Sequence, residues 1–483
     1  MAPAGDDNSA KPYDAIIASI VDYAYDFVPE SPAAWARAKA TLIDALGCAC
    51  EGLATSAELV KMIGPPIGSP SVIPGGFKLP GTAFQLDIYK AAFDMGASIR
   101  YLDHNDAFPG AEWGHPSDQL GAILTTASIF SRNEGLPLTM RSVLTALIKA
   151  YEIQGVFQIK NAFNKVGLDH VILVKVASTA VVSHLIGLSR EQALAAVSHA
   201  WVDGHPLRTY RQAPNTGPRK GWAAGDACMR AVHLALLARA GQPGLKTALT
   251  AQRWGFLDVL FGGREFEFVQ PFRSWVVETV LFKVNTAEGH GMTAVEAALT
   301  VVEDMRKKGL RAEDIGAVKV RTQEAGMIII NKSGPLHNPA DRDHCLKYMV
   351  AVVLLKGAQI ETEDYQDSSP WAKDPRVEEL RAKTLMVEDE QFTRDYHNTE
   401  IRSLTNAVQV TMKDGTVLDD VVVEFPLGHF RRPESVPLVY AKARRNLGLK
   451  LAPAKVDAVL SLAEDDAKFL DTPVNDFLDL FVV

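Results

Sequence analysis

Between Asp103 and Asp118 the chain places four carboxylates (Asp103, Asp106, Glu112, Asp118) and two imidazoles (His104, His115) within 16 residues. Charged side chains beside apolar helices cost free energy unless they are solvated, paired or used. Acids next to imidazoles are also the usual equipment for moving protons. His115 precedes Pro116, and proline favours the first position of a helix. The spacing therefore predicts His115 at a helix N-cap, where the positive end of the dipole favours a neutral imidazole and attracts a carboxylate. A histidine that only caps satisfies the same pattern, and Asp103 and Asp106 serve equally as loop caps or as site residues.

Four cations, Arg208, Arg211, Arg219 and Lys220, fall within thirteen residues, in a loop rich in Gly, Pro and Asn ahead of an expected helix. Arginine grips a carboxylate with a bidentate fork; lysine acts as a point charge or a proton donor. A solvated basic loop is the alternative, although Tyr210 and Trp222 favour a packed one. A third cluster, Lys283 to Gly291, includes Glu288, Gly289 and His290 and falls at an expected domain junction, where ligand sites often lie. His170, after Asp169, opens a helix and reads as either a cap or a site residue. Asp341-Arg342-Asp343-His344 reads as a segment that closes a cleft or as an ion-paired helix start, the second reading being preferred for Asp341 and Arg342.

The elements that must carry these residues are mostly helices. Ser31-Pro32 reads as an N-cap with proline at the first helical position, and Trp35, Ala38, Leu42, Leu46 and Ala49 recur at helical spacing. Asp87 and Thr139 open further helices, Ser189 to Gln192 has the capping-box pattern, and a helix from about 222 to 240 ends at Gly241. After about residue 275 the pattern changes. Val318, Val320 and Thr322 alternate with charged residues, and 408–412 and 416–425 flank Asp414-Gly415 as a hairpin. Helices are expected at about 292–308, 343–356 and 375–386. The fold is thus expected to be mainly α: an all-helical domain from 13–275 and 426–483, with an inserted, smaller α+β lid over 276–425.

Composition narrows the function classes. The 483 residues are 47% hydrophobic and 22% charged, as in a folded soluble protein, and enough for two domains. With 58 acids against 50 bases the net charge is −8, which argues against a nucleic-acid-binding surface. No apolar run reaches the ~20 residues that cross a bilayer, so no membrane partner is expected. Residues 1–11 have no hydrophobic or Arg-rich targeting pattern and read as a short disordered leader. The four cysteines (48, 50, 228, 345) are scattered, which favours a reducing compartment and here the cytoplasm. Dinucleotide, Walker and H-E-x-x-H or C-x-x-C patterns are missing, so no cofactor or metal is expected.

Several motifs together resemble the MmgE/PrpD family: Ala45-Leu46-Gly47-Cys48, Leu102-Asp103, Glu112 to Asp118, Gly167-Leu168-Asp169-His170, Trp201 to Gly204, Leu207 to Arg211, Ala213 to Gly217, Arg219-Lys220, Ala223 to Asp226 and Asn338 to Cys345. The likeness runs from about residue 13 to the end. It implies a helical body with an α+β lid, a homodimer and a tricarboxylate substrate. It implies a cofactor-independent hydro-lyase that dehydrates 2-methylcitrate or a longer 2-alkylcitrate, with decarboxylation of a cis-aconitate-type acid as the alternative. By motif it points to Asp103, His115, His170, Lys220 and His290 as catalytic residues. Arg208, Tyr210, Arg211, Lys283, Ala107 and Gly289 are then the substrate contacts. Where related decarboxylases carry a threonine this chain has Ala107, and where dehydratases carry an aromatic it has Gly289. With Gly291 these small residues predict a pocket enlarged for a longer alkyl chain.

Overall fold

The computed structural model describes residues 10–202, 204–212, 214–398 and 400–483. Most of the expected leader therefore lies outside the described residues, as do Asp203 and Ala213 of the quoted motifs. The helical signals translate directly. Ser31 caps Pro32–Thr55 through its side chain, Asp87 caps Ile88–Arg100, and Ser189 closes a capping box on Arg190–Ala200. Helix Met140–Lys160 follows Thr139, and its buried face includes Val143, Leu144, Leu147 and Tyr151. The main core draws on both ends of the chain, from Tyr13 to Phe282 and again from Val439 to Phe481.

Three helices bring the charged segments together: Ile88–Arg100, Leu120–Glu134 and Arg219–Arg239. They approach closely because Gly96, Gly121 and Gly225 lie at the crossings. A Cβ on Gly225 would sit 2.3 Å from the Phe93 carbonyl oxygen, and one on Gly121 2.6 Å from the Gly96 nitrogen. The C-terminal helix Ser435–Leu447 returns to pack on Pro32–Thr55, with Gly47 facing the Ala443 backbone.

A second core runs from Leu281 to Leu418. Its four-stranded sheet has the order Thr384–Glu388, Ile315–Thr322, Asn406–Met412, Val421–Val423. The first pair is parallel and the other two antiparallel. Ile315, Val318, Val320 and Thr322 are buried, the alternation of a strand with one face on a core. Helices Met292–Lys307 and Leu346–Lys356 share that core.

Three local expectations change. The helix expected to run to 386 ends at Ala382, and Thr384–Glu388 is a strand. Its partner is parallel and about 65 residues away in the chain, so no hairpin signal announces it. The helix expected from 343 starts at Leu346; Asn338 instead caps a short helix, Pro339–Arg342. Arg219 and Lys220 are the first residues of their helix rather than part of the preceding loop.

The glycine crossing yields a stability test. Replacing Gly225 with Ala forces a methyl group against backbone, an overpacking worth about 1–3 kcal/mol. Urea unfolding should show a lower midpoint than wild type; an unchanged midpoint would mean that the helices need no such close approach.

Candidate active site

The charged segments meet at one cavity of about 540 Å³. Its buried floor includes Arg100, Asp103, His115, His170 and His290, with Arg208 and Arg211 on the wall. Asp103 sits just past the end of helix Ile88–Arg100 with φ 61°, a left-handed conformation uncommon for a side-chain-bearing residue. Its carboxylate lies 2.6 Å from Arg100 Nη1. Lys283 Nζ donates both to the Asp103 carbonyl (2.6 Å) and to Oδ1 (2.7 Å). Burial alone would raise the Asp103 pKa, but Arg100 and Lys283 outweigh it and hold the carboxyl well below its ordinary range.

His115 Nδ1 is 2.7 Å from the Asp106 carbonyl oxygen. A carbonyl only accepts, so Nδ1 carries the hydrogen and the neutral ring leaves a lone pair on Nε2. That nitrogen lies 3.6 Å from Asp103 Oδ1. The His115 pKa lies well below 6.5 because the ring is buried and Arg100 is close. The ring does stand at the start of the Pro116–Gln119 turn, as the spacing implies, but its side chain makes no capping bond. Asp106 turns away from the cavity to accept from Ser117 (2.6 Å) and Tyr151, and burial pushes its pKa up to about 6.

His170 also stands at a helix start without a capping bond. Its ring is buried, its centroid is 5.5 Å from that of His115, and neither nitrogen makes a hydrogen bond among the described residues. Burial moves its pKa well below 6.5. The two arginines are held from behind. Arg211 forks onto Asp169 through Nε and Nη2, and Arg208 lies 3.4 Å from Glu112 and 3.7 Å from Asp169. At His290, Nδ1 faces Glu288 at 3.0 Å and Nε2 faces the Tyr396 hydroxyl at 3.2 Å.

Five expected contacts take other places. Lys220 does not line this cavity; its Nζ donates to both Asp343 oxygens (2.8 and 2.9 Å) and it borders a second cavity with His104 and Tyr101. The same Nζ lies 3.1 Å from Nδ1 of His344, which does line the first cavity. Lys283 is behind the floor and reaches Asp103 instead of open space. Tyr210 is buried beneath the Arg211 and Arg219 guanidiniums. Ala107 is buried and exchanges backbone hydrogen bonds of 2.8 Å with Leu281. At Gly289 a Cβ would stand 2.4 Å from Trp113, and at Gly291 3.0 Å from Met349. The space at Gly289 and Gly291 is filled by neighbouring side chains, and none of the three small residues lines the cavity.

Other side chains at the cavity were not picked out from sequence. Arg100 had one available signal, a basic residue three positions before Asp103 at a helix end. Asp169 and Glu112 stand within quoted motifs, but nothing in their spacing shows that they orient arginines. Lys332 and His337, from the turn-rich 331–337 segment, carried no signal at all. Asp341 and His344 also reach the cavity, while Arg342 binds the Tyr365 carbonyl and Asp367, as an ion-paired start would. Among the described residues no group of three or more His, Cys, Asp or Glu is arranged to hold a metal ion. No helix among them is long and apolar enough to cross a membrane.

Comparison with known proteins gives the family. The MmgE/PrpD N-terminal domain model matches residues 15–269, and the C-terminal domain model residues 286–466. The chain belongs to the MmgE/PrpD family. It is 66% identical to the 2-methylcitrate dehydratase-like protein oryR of Aspergillus oryzae, over 99% of this chain and 98% of that one. It is 51% identical to a 2-methylcitrate dehydratase of Cupriavidus necator, over 97% of each chain. It is 47% identical to the alkylcitrate dehydratase phiI of a fungal species, over 97% of this chain and 94% of that one.

Two outcomes follow for this MmgE/PrpD protein. Histidine-selective NMR at pH 6.5 should show His115 neutral with hydrogen on Nδ1; a charged ring or an Nε2–H tautomer would contradict the geometry. Replacing Lys283 with Met breaks a buried ion pair and should cost about 3–5 kcal/mol in urea unfolding. A loss under about 1 kcal/mol would mean that Arg100 alone holds Asp103.

Proposed function

We propose that this protein is a hydro-lyase that dehydrates a 2-alkylcitrate to the corresponding alkyl-cis-aconitate. The observation that carries the reading is a neutral imidazole with a bare nitrogen, His115 Nε2, beside a buried carboxylate and within a cavity that holds three arginines. The proton to be removed lies next to a substrate carboxylate and is very weakly acidic. Its removal needs fixed positive charge where negative charge spreads. Arg100, Arg208 and Arg211 supply that charge, and their partners Asp103, Glu112 and Asp169 keep them oriented without reorganisation during the reaction.

In this reading His115 Nε2 takes the proton. The electron pair of the C–H bond forms the C=C bond, and the adjacent C–O bond breaks. Asp103 remains ionised throughout; its charge stabilises the imidazolium of His115. That division of roles follows from the depressed Asp103 pKa, which makes it a poor base but a good counter-ion. The leaving hydroxide takes a proton from Nε2 of His290, which acts as an imidazolium paired through Nδ1 with the Glu288 carboxylate and becomes the neutral ring, while water departs. His170 is left to bind a substrate oxygen through Nε2, its Nδ1 lying 3.5 Å from Asp169 Oδ1. Lys220 joins the helical body to the inserted segment through Asp343, a positioning task rather than a chemical one.

The relatives named 2-methylcitrate dehydratase and alkylcitrate dehydratase support the substrate class. The alternative, decarboxylation of an aconitate-type acid, uses a similar cationic cradle. The experiment is to incubate the enzyme with 2-methylcitrate and 2-hexylcitrate and follow both unsaturated-acid absorbance and CO₂. Absorbance should rise without gas, and His115→Ala should lower kcat by about 10²–10⁴-fold while keeping the urea midpoint. CO₂ release from the unsaturated acid would support decarboxylation instead, and near-normal kcat in the variant would remove His115 from the chemistry.

A further inference from the structure

The cavity changes character from floor to mouth. At the floor Arg100, Asp103, His115, His170, Glu288 and His290 are each under 10% exposed. The mouth carries Ile328, which is 71% exposed, together with Ile329, Pro335 and Leu336. All four come from the inserted segment, the two isoleucines from the end of helix Glu324–Ile329. An exposed isoleucine on the lip of a cavity with a charged floor has no packing role that demands it. Leu336 and Ile329, by contrast, rest on the second core and are held in place by it.

Among the described residues the buried lining is Arg100, Asp103, His115, His170, Thr216, Glu288 and His290, none of them aliphatic, and the indole of Trp113 is only half-buried beside His290. Of the positions that would have made an apolar recess, Gly289 and Gly291 are closed by Trp113 and Met349, and Ala107, paired through its backbone with Leu281, does not line the cavity. A tricarboxylate head seated on the arginines must therefore send any alkyl chain outward. We propose that the alkyl chain of a 2-alkylcitrate leaves through the mouth along Ile328, Ile329, Pro335 and Leu336, and that Ile328 and Leu336 set the preference for chain length. This inference rests on the dehydratase reading above. It makes chain length a property of the lip: a methyl group stays inside, and a hexyl group covers Ile328. Selectivity is then independent of the acid–base residues.

The test compares kcat/KM for 2-methylcitrate and 2-hexylcitrate in the wild type, Ile328→Asp and Leu336→Ser. A wild type that turns over both, with a loss of about tenfold on the hexyl substrate alone in Ile328→Asp, supports the inference. Ile328 is exposed, so this variant keeps its fold; Leu336→Ser should lower the same ratio in the same direction. An equal loss on both substrates, no loss on either, or a wild type confined to the methyl compound overturns the inference and leaves the dehydratase reading standing. Failure of the wild type to dehydrate any alkylcitrate overturns the dehydratase reading itself, and the inference with it.

Discussion

The buried charge of Asp103 is the constraint around which the site is organised. An isolated carboxylate in this environment would neutralise itself. It stays ionised because Arg100 and Lys283 lie against it, one from the preceding helix turn and one from 180 residues further along the chain. Lys283 also binds the Asp103 carbonyl and so helps to hold the left-handed backbone there. That conformation costs on the order of 1 kcal/mol for a residue with a side chain, a cost the double contact offsets. Lys442, from the C-terminal helix, donates to the carbonyls of His104 (2.7 Å) and Lys283 (2.8 Å) and pairs with Asp44 (2.9 Å). The floor of the cavity is thus held in part by the far end of the chain.

The electrostatics of the cavity follow from this arrangement. The chain as a whole carries a net charge of −8, yet its cavity concentrates guanidinium groups. Arg208 and Arg211 are tied to buried carboxylates behind the wall, which leaves their other side for an anion, and Arg100 shares the floor with its partner Asp103. Burial, and after it the same cations, depresses the pKa values of His115 and His170, so both rings are neutral at neutral pH. For such histidines the sign is fixed. The unfolded chain takes up protons as pH falls through 6.5 while the folded chain does not, so their contribution to stability is complete above that value and declines below it.

Much of this was legible in the sequence because it was local. Caps at Ser31, Asp87 and Ser189, and the strand alternation around Val318, are signals written within a few residues. The convergence of Asp103, His115, His170 and the Arg208–Arg211 turn was foreshadowed by dense charge in segments that a core would otherwise reject. What could not be read was non-local. The parallel strand Thr384–Glu388 depends on a distant partner. The direction of Lys220 depends on Asp343, 123 residues away. The small residues at 107, 289 and 291 looked like released space, but whether a glycine opens a cavity or admits a neighbour's ring depends on what packs against it, and here Trp113 and Met349 do.

The measurement that bears most directly on this account is a crystal structure with an unreactive tricarboxylate such as tricarballylate bound. The account predicts ligand carboxylates against Arg100, Arg208 and Arg211, with the carbon that would lose its proton within about 3–3.5 Å of His115 Nε2. A ligand seated instead beside Lys220 in the second cavity, or presenting that carbon to a different side chain, would contradict it.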